Sequence, residues 1–404
     1  METVNRRVTY RMYPTRKQQL ALERMHDLHR HLYNACLEER ISAWRKCAIS
    51  IGFVDQCKSL TQVRAENPEY CAINAQSLQV TLKRVHKAYD AFFRRCKAGK
   101  KGGFPRFKSK KRFTGWGYKA HGDGFKFAPG RNWKHGVLRI SGVGDVKVRG
   151  EARTPGQIVS CDIMRKDAGE WHVSLVVACQ PHRERTSDKE SGLDWGTETY
   201  ITLGSDLDTV EQLPNERLWR AQRDALKESQ RDLSKRLRGK RTKSAERKRR
   251  HLAKQHRKLA NRRKNRNHQA SARLTKTHSL LVTEALSVAN MTRSAKGTEE
   301  APGKNVAQKA GLNREILDTA PADLLKMIQY KAEEADCDLI VLNTRKSKPS
   351  QRDPVDLNRV VKKTLAQRTH TLPDGRVIGR DHAAALVMLR LGLNSLGREP
   401  SWVG

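Results

Sequence analysis

Polar and apolar positions alternate from the first residues of the chain. Val8, Tyr10 and Met12 fall on one side and Arg7, Thr9 and Arg11 on the other, the period of a strand with one buried face. Pro14 ends the run, and Thr15 followed by Gln18 spells a capping box. The spacing then changes to three and four. Leu22, Met25, Leu28, Leu32 and Cys36 make the apolar stripe of one helix, and Leu78, Leu82, Val85, Tyr89, Phe92 and Cys96 that of another. Residues 15–103 are expected to form a helical module inserted after a single strand.

Beyond Gly102 the texture becomes β-like. Residues 104–118 read FPRFKSKKRFTGWGY, and short apolar runs follow at 137–140, 146–148, 158–164 and 171–179, with a turn at 167–169. This predicts a small β-barrel over 104–188 that also takes residues 1–14, so the domain is discontinuous. A polar linker, ERTSDKES, leads to an apolar strand ending in GLDWG, with 200–203 as its hairpin partner. The pattern is helical from 213 to 278. Leu226, Leu233 and Leu237, then Leu252 and Leu259, give a seven-residue seam that Gly239 interrupts, so 231–278 reads as a hairpin of two antiparallel helices. A strand at 280–288, a helix around 321–336, a strand at Asp338–Leu342, a loop over 344–378 and an Ala/Leu-rich helix from Asp381 follow. That alternation predicts an α/β domain over 189–404.

Charge narrows the partners. The chain has 404 residues, with 81 Lys and Arg against 43 Asp and Glu, a formal net charge of +38. A polyphosphate partner is the simplest reason to tolerate such self-repulsion. A membrane surface would need an amphipathic or spanning apolar segment. None is read, nor is a signal peptide, so the expected location is the bacterial cytoplasm, at the nucleoid. The charge is concentrated: residues 231–270 hold 18 Lys and Arg and two acidic residues, Asp232 and Glu246. There Arg247, Arg250, Arg257, Arg262 and Arg263 are expected to meet phosphates without sequence choice. Arg106, Lys108, Lys110, Lys111 and Arg112 form a second block, interleaved with Phe104, Phe107, Phe113 and Trp116. Those aromatics either stack unpaired bases or fill the barrel core. The eight cysteines include no CxxC pair, and most read as small buried hydrophobes.

Three acidic residues stand where an α/β domain can aim a side chain into a site. Asp194 ends an apolar strand, Glu284 lies within LLVTEAL, and Asp381 opens a helix. Carboxylates in apolar settings are costly unless paired or metal-bound. Three converging ones would hold hard cations, and a pair of Mg²⁺ ions so held can activate water and stabilise the leaving oxygen in phosphodiester cleavage. The residues alone leave plainer readings open: a strand-end turn for Asp194, an Arg partner for Glu284, a helix N-cap for Asp381.

Seven segments add a resemblance. MYPTRKQQLALERMHDLHRHLYNACLEER, GGFPRFKSKKR, GLDWGTETYITL, LLVTEAL, GKNVAQKAGLNREILD, MIQYKAEEADCDLIVL and GRDHAAALVMLRLG occur in that order. Together, from about residue 7 to 393, they resemble the TnpB family of transposon-encoded RNA-guided DNA nucleases, close to the miniature type V CRISPR effectors. The resemblance implies a RuvC-like nuclease domain on a ribonuclease H fold over 189–404. It also implies a wedge-type β-barrel (1–14 and 104–188) interrupted by a helical recognition module (15–103). The implied partners are a guide RNA and double-stranded target DNA bearing a short target-adjacent motif. Asp194, Glu284 and Asp381 match the three RuvC carboxylates, hence both catalytic residues and Mg²⁺ ligands of an endodeoxyribonuclease. Gln76, Ser77, Gln79 and Lys83 lie on the helix that reads the adjacent motif in the family. Gln79 is the best placed, and Gln can read adenine bidentately.

The chain departs from the family pattern twice. The family's four-cysteine zinc ribbon precedes the third Asp, yet residues 343–380 contain no cysteine, so no zinc is expected. Where the family commonly has Asn two residues after the third Asp, this chain has Ala383. Cleavage is weakened if that Asn positions the catalytic group. Three alternatives accompany the nuclease reading: a CRISPR-borne miniature effector, a guide-RNA-directed repressor with weak or no cleavage, and a transposase acting without RNA.

Overall fold

The computed structural model describes residues 3–152, 154–166, 169–180, 182–237, 242–364 and 366–403, apart from the Arg345 side chain. The chain divides into two compact units, Met1–Pro181 and His182–Gly404.

In the first unit, strand β1 (Val4–Tyr13) buries Tyr10 and Met12 and exposes Arg7, Thr9 and Arg11, as its alternation requires. Four helices follow: α1 (Arg16–Cys47), α2 (Phe53–Glu66), α3 (Pro68–Cys71) and α4 (Ala75–Lys97). The capping box starts α1: the Gln18 amide donates to Thr15 Oγ1 at 3.4 Å, and the Thr15 amide donates to Gln18 Oε1 at 2.9 Å. Leu22, Met25, Leu32 and Cys36 of α1 and Leu78, Leu82 and Val85 of α4 are buried, with Leu28 packed against the same core. The stripe on α4 stops short of its predicted end, since Cys96 is exposed.

Six strands complete the unit: β2 (Gly115–Tyr118), β3 (Phe125–Pro129), β4 (Lys134–Ile140), β5 (Gly144–Glu151), β6 (Gln157–Arg165) and β7 (Trp171–Cys179). They form an antiparallel sheet in the order β2-β6-β7-β1-β5-β4-β3. The N-terminal strand is thus central, pairing with β7 and β5 across the helical insert. The sheet curls as a half-barrel and is not the closed barrel expected, because its edge strands β2 and β3 do not pair with each other. Asp167 and Ala168 of the expected turn lie outside the described residues.

The second unit is built on a mixed sheet of five strands. These are β8 (Lys189–Trp195), β9 (Thr199–Gly204), β10 (Val210–Pro214), β11 (His278–Glu284) and β12 (Asp338–Leu342), in the order β10-β9-β8-β11-β12. β8 is antiparallel to β9 and parallel to β11, and β11 is parallel to β12. The helices are α5 (Arg223–Leu237), α6 (Lys243–Thr277), α7 (Val288–Met291), α8 (Val306–Thr319), α9 (Pro321–Glu334), α10 (Thr344–Ser347) and α11 (Arg380–Ser395). Successive residues of β11 serve opposite faces. Leu281 joins Leu193, Leu274 of α6 and Leu324 and Ile328 of α9; Leu280 and Val282 join Met388, Leu389 and Leu393 of α11. A strand buried on both faces needs the unbroken apolar run that LLV supplies.

Several expectations change here. Residues 184–191 are not a free linker: the Thr186 amide donates to the Lys276 carbonyl at 2.7 Å, Arg185 binds the Ala335 carbonyl at 3.1 Å, and β8 begins at Lys189. β11 ends at Glu284 because α7 starts four residues later. The α5–α6 seam holds at Leu226, Leu233 and Leu259, but Leu237 is 53% exposed at the helix end. Gly239 lies outside the described residues. The stretch 344–378 is no simple loop, since it contains α10 and a hairpin of β13 (Thr369–Thr371) and β14 (Val377–Gly379). Of the eight cysteines, Cys36, Cys161, Cys179 and Cys337 are buried, whereas Cys47, Cys71 and Cys96 are exposed. Among the described residues no helix is long and apolar enough to cross a membrane.

Candidate functional site

β8 and β11 run parallel, with Gly192 opposite Val282. Asp194 and Glu284 each lie two residues further on, so both stand at the carboxyl ends of neighbouring strands and on the same side of the pleat. β9 leaves β8 on the other side, which makes this strand end a switch point of the sheet, where open α/β sheets place their ligands. α11 brings the third acid. A Cβ on Gly192 would fall on the backbone carbonyl of Ala385, and one on Gly392 on the Val282 side chain. Both positions demand glycine because the helix lies directly on the strands. Asp381 sits in the first turn of that helix.

The electrostatics agree with this placement. The Asp194 carboxyl is held well above the usual carboxylate range, first by burial and then by the negative charges of Asp381 and Glu284, with Arg380 opposing. Glu284 is likewise raised by burial, while a hydrogen bond from Thr344 works the other way. Arg380 lies 3.4 Å from the Asp381 carboxylate. Beside Glu284 is a cavity of about 180 Å³ lined by Trp195, Thr283, Lys326 and Gln329. The Trp195 indole N–H is buried without a hydrogen-bond partner among the described residues. Ala383 is completely buried in α11. Among the described residues, no group of three or more His, Cys, Asp or Glu side chains stands close enough to hold a metal ion as the side chains are placed. The donor set nevertheless suits a divalent cation: carboxylate oxygens are hard ligands, and three negative charges with one arginine nearby leave Asp194 disfavoured as an anion.

The expected nucleic-acid residues separate into exposed and structural ones. Gln79 and Lys83 are exposed on α4, Lys83 with its ammonium 4.8 Å from the Phe53 ring centre. Gln76 is half-buried. Ser77 is a correction: it is fully buried, its hydroxyl donates to the Asn74 carbonyl at 2.7 Å, and its amide is capped by the Asn74 side chain. Arg106, Lys111 and Arg112 are exposed, Lys110 is paired with Asp27 at 2.6 Å, and the Lys108 backbone is clamped by Asn34. Phe113 and Trp116 are core residues and cannot stack bases, whereas Phe104 and Phe107 are each 48% exposed.

On α6, Arg247, Arg250 and Arg262 are exposed and Arg257 is half-buried. Arg263 also serves the fold: it binds Asp318, which is buried on α8, at 2.6 Å. Its neighbour Arg266 is buried over the Tyr200 ring. Asp318, Arg380 and Thr344 were not singled out from the sequence. Only Arg380 carried a signal, its position beside Asp381.

Comparison with known proteins follows the same lines. A family model described as a helix-turn-helix domain, HTH_OrfB_IS605, matches residues 1–47, and one described as a probable transposase, OrfB_IS605, matches residues 174–295. In this chain the first stretch is a strand and one helix of 32 residues. A Streptomyces pristinaespiralis protein named as an RNA-guided DNA endonuclease is 28% identical over 350 residues, 85% of this chain and 78% of its own length. InsQ of Escherichia coli K12, similarly named, is 28% identical over 260 residues, 64% of this chain and 60% of its own length. Among solved structures, Cas12f1 in complex with sgRNA and target DNA aligns over 96% of this chain and 99% of its own, with a TM-score of 0.57 at 10% identity. The mini-RNA-guided endonuclease CRISPR-Cas-phi3 aligns over 99% and 93%, with a TM-score of 0.50 at 9% identity. The chain therefore shares its fold with these two structures. By the two family models and the two relatives, the chain is similar to the TnpB family of transposon-encoded proteins.

Proposed function

We propose that the chain is an RNA-guided DNA endonuclease with one RuvC-like, Mg²⁺-dependent site formed by Asp194, Glu284 and Asp381. The observation that carries this reading is the placement of Asp194 and Glu284 at the carboxyl ends of the neighbouring parallel strands β8 and β11, with Asp381 in the first turn of the helix that packs on them and its charge raising Asp194. The names of the relatives and the fold shared with Cas12f1 support it. In this reading 189–404 is the nuclease domain, 1–14 with 104–188 the wedge, and 15–103 the recognition module. A guide RNA pairs with one DNA strand, and Gln79 on α4 reads the short adjacent motif.

The three carboxylates would hold the ions, and bound Mg²⁺ supplies an activated water and charge neutralisation at the phosphate. The chain's own groups prepare that site. Thr344 orients Glu284, Arg380 restrains Asp381, and the glycine contacts of α11 fix the two ends of the cluster. Exposed Arg247, Arg250 and Arg262 hold phosphates of RNA or heteroduplex. Two observations favour a second reading, a guided DNA-binding protein with weak cleavage: Arg380 already lies on Asp381, and Ala383 replaces an amide.

Purified ribonucleoprotein incubated with a matched plasmid tests both. Linear product with Mg²⁺ that is lost with chelator, and is lowered about a thousandfold or more in Asp194→Asn, Glu284→Gln or Asp381→Asn, is expected for the enzyme. Guide-dependent DNA binding by the wild type without any cutting would establish the second reading. Sequencing the co-purified RNA checks the guide: absence of a discrete species, with activity intact, would point to a transposase acting alone.

A further inference from the structure

The helical module holds a cavity that the proposed chemistry leaves unused. Its volume is about 710 Å³, and it opens between the end of α1, the turn after it and the far end of α4. The walls are aromatic, including Trp44, Tyr89, Phe92, Phe93 and Phe104. Three of these rings are open to solvent: Trp44 is 63% exposed, Phe93 54% and Phe104 48%. Phe104 meets Tyr89 and Phe92 edge to face at 5.6 and 5.4 Å, so part of the wall is braced.

The polar group at this cavity is unusual. Arg40 is 9% exposed, its Nε donates to Gln56 Oε1 at 2.8 Å, and its guanidinium lies 5.3 Å from the Tyr89 ring centre. Its Nη2 is buried and has no hydrogen-bond partner among the described residues. A buried guanidinium donor left without an acceptor is costly, and it marks where an acceptor on a ligand would be gained. Arg45 also lines the cavity; Asp90, the acidic lining residue, lies 3.6 Å from His86.

We propose that this cavity captures an unstacked nucleotide of single-stranded nucleic acid. Its base stacks on Trp44, Phe93 or Phe104, and a carbonyl or phosphate oxygen accepts from Arg40 Nη2. An apolar groove could equally take a second copy of the chain, but a net charge of +38 opposes self-association and attracts a polyanion. The buried donor also calls for an acceptor-rich occupant. The inference rests on the reading above only in taking nucleic acid as the partner.

Binding of fluorescein-labelled single strands, oligo-rA and oligo-dA, to the full chain tests it. The chain carries Asp194→Asn so that cutting plays no part, and a duplex of equal length serves as the control. Trp44→Ala and Phe93→Ala alter exposed rings and preserve the core; Arg40→Lys keeps the charge and loses the fork. Each is expected to weaken single-strand binding roughly 5- to 100-fold and leave duplex binding unchanged. The stronger of the RNA and DNA arms identifies the source of the nucleotide. Unchanged single-strand affinity in all three variants would overturn the proposal. So would a dimer-to-monomer change in Trp44→Ala by light scattering, which would make the patch a contact between copies. If the parent chain binds neither single strand nor duplex, nucleic acid itself is wrong as the partner, and the inference fails with that reading.

Discussion

Gly192 and the backbone carbonyl of Ala385 approach so closely that no side chain fits between them. That contact sets how near Asp381, four residues before Ala385, comes to Asp194, two residues after Gly192. Gly192→Ala must therefore lift α11 from the sheet. A loss of about 2 kcal/mol or more is expected, as for other overpacked cores, together with lost activity. Gly103→Ala, whose new methyl meets nothing within 4 Å, is the control. Thermal denaturation and cleavage assays on both variants check this; equal melting temperatures would refute it.

Adjacent arginines on α6 should behave in opposite ways. Arg263 is the ion-pair partner of buried Asp318, whose other oxygen accepts from the Trp219 amide at 2.9 Å. Removing it strands a buried carboxylate, so Arg263→Ala should cost about 3–5 kcal/mol. Exposed Arg262→Ala should change stability by less than about 0.5 kcal/mol. It should instead lower nucleic-acid affinity and reduce the slope of log K against log salt by roughly 0.7–0.9, the share of one phosphate contact. Urea unfolding and salt titrations separate the two. A destabilised Arg262→Ala variant with an unchanged salt slope would reverse the assignment.

That pair also shows what the sequence could express. Local patterns were legible: the alternation in β1, the Thr15–Gln18 box and the apolar run of β11 each follow from neighbours a few residues apart. Asp194 was legible as a strand-end acid and Glu284 as an acid inside an apolar strand, and the expectation that they converge with Asp381 came from motif order. Partners far along the chain left no trace. Nothing near Arg263 announces Asp318, 55 residues away, and the same charge reads as surface. Ser77 appeared as a polar helix residue because its burial depends on packing that no local spacing records. Phe113 and Trp116 sit in a basic, glycine-rich stretch and are nonetheless core, since His26 and His29 of α1 pack against their rings.

Acid should weaken the first unit through His29. Its ring is buried and stacked on Trp116, Nδ1 lies 2.9 Å from Thr81 Oγ1, and burial lowers its pKa from 6.5 to about 3. The folded state holds the neutral ring, so stability is complete above the unfolded value of 6.5. As pH falls below that value the unfolded chain takes up a proton that the folded chain refuses, until about 3. The loss is about 1.4 kcal/mol per pH unit, or about 2 kcal/mol at pH 5. His172, lowered by burial to about 4, adds to the same slope. His29→Phe, which keeps a stacking ring, should flatten the acid limb by nearly one proton. Parallel limbs for variant and wild type in pH-dependent denaturation would refute it.

The segment before Asp381 has a polar centre of its own. Asp353 and His370 are both buried, 2.8 Å apart, and the other Asp353 oxygen accepts from the Val355 and Asp356 amides at 2.8 and 3.1 Å. Arg359 approaches the same carboxylate at 3.5 Å. These bonds tie the turn at 353–356 to β13, whose neighbour Leu372 packs with Leu207 and Leu386 of α11. A protein-only network of this kind can order a segment that carries no cysteine ligands. Asp353→Ala, which leaves two amides and a histidine without their acceptor, should therefore cost about 3 kcal/mol and lower cleavage through α11. Chelator treatment should leave the melting temperature of the wild type unchanged in Mg²⁺-free buffer, with less than one zinc per chain by elemental analysis. Stoichiometric zinc, or a chelator-sensitive melting temperature with Asp353→Ala as stable as wild type, would transfer the ordering of this segment from the Asp353–His370 pair to a metal.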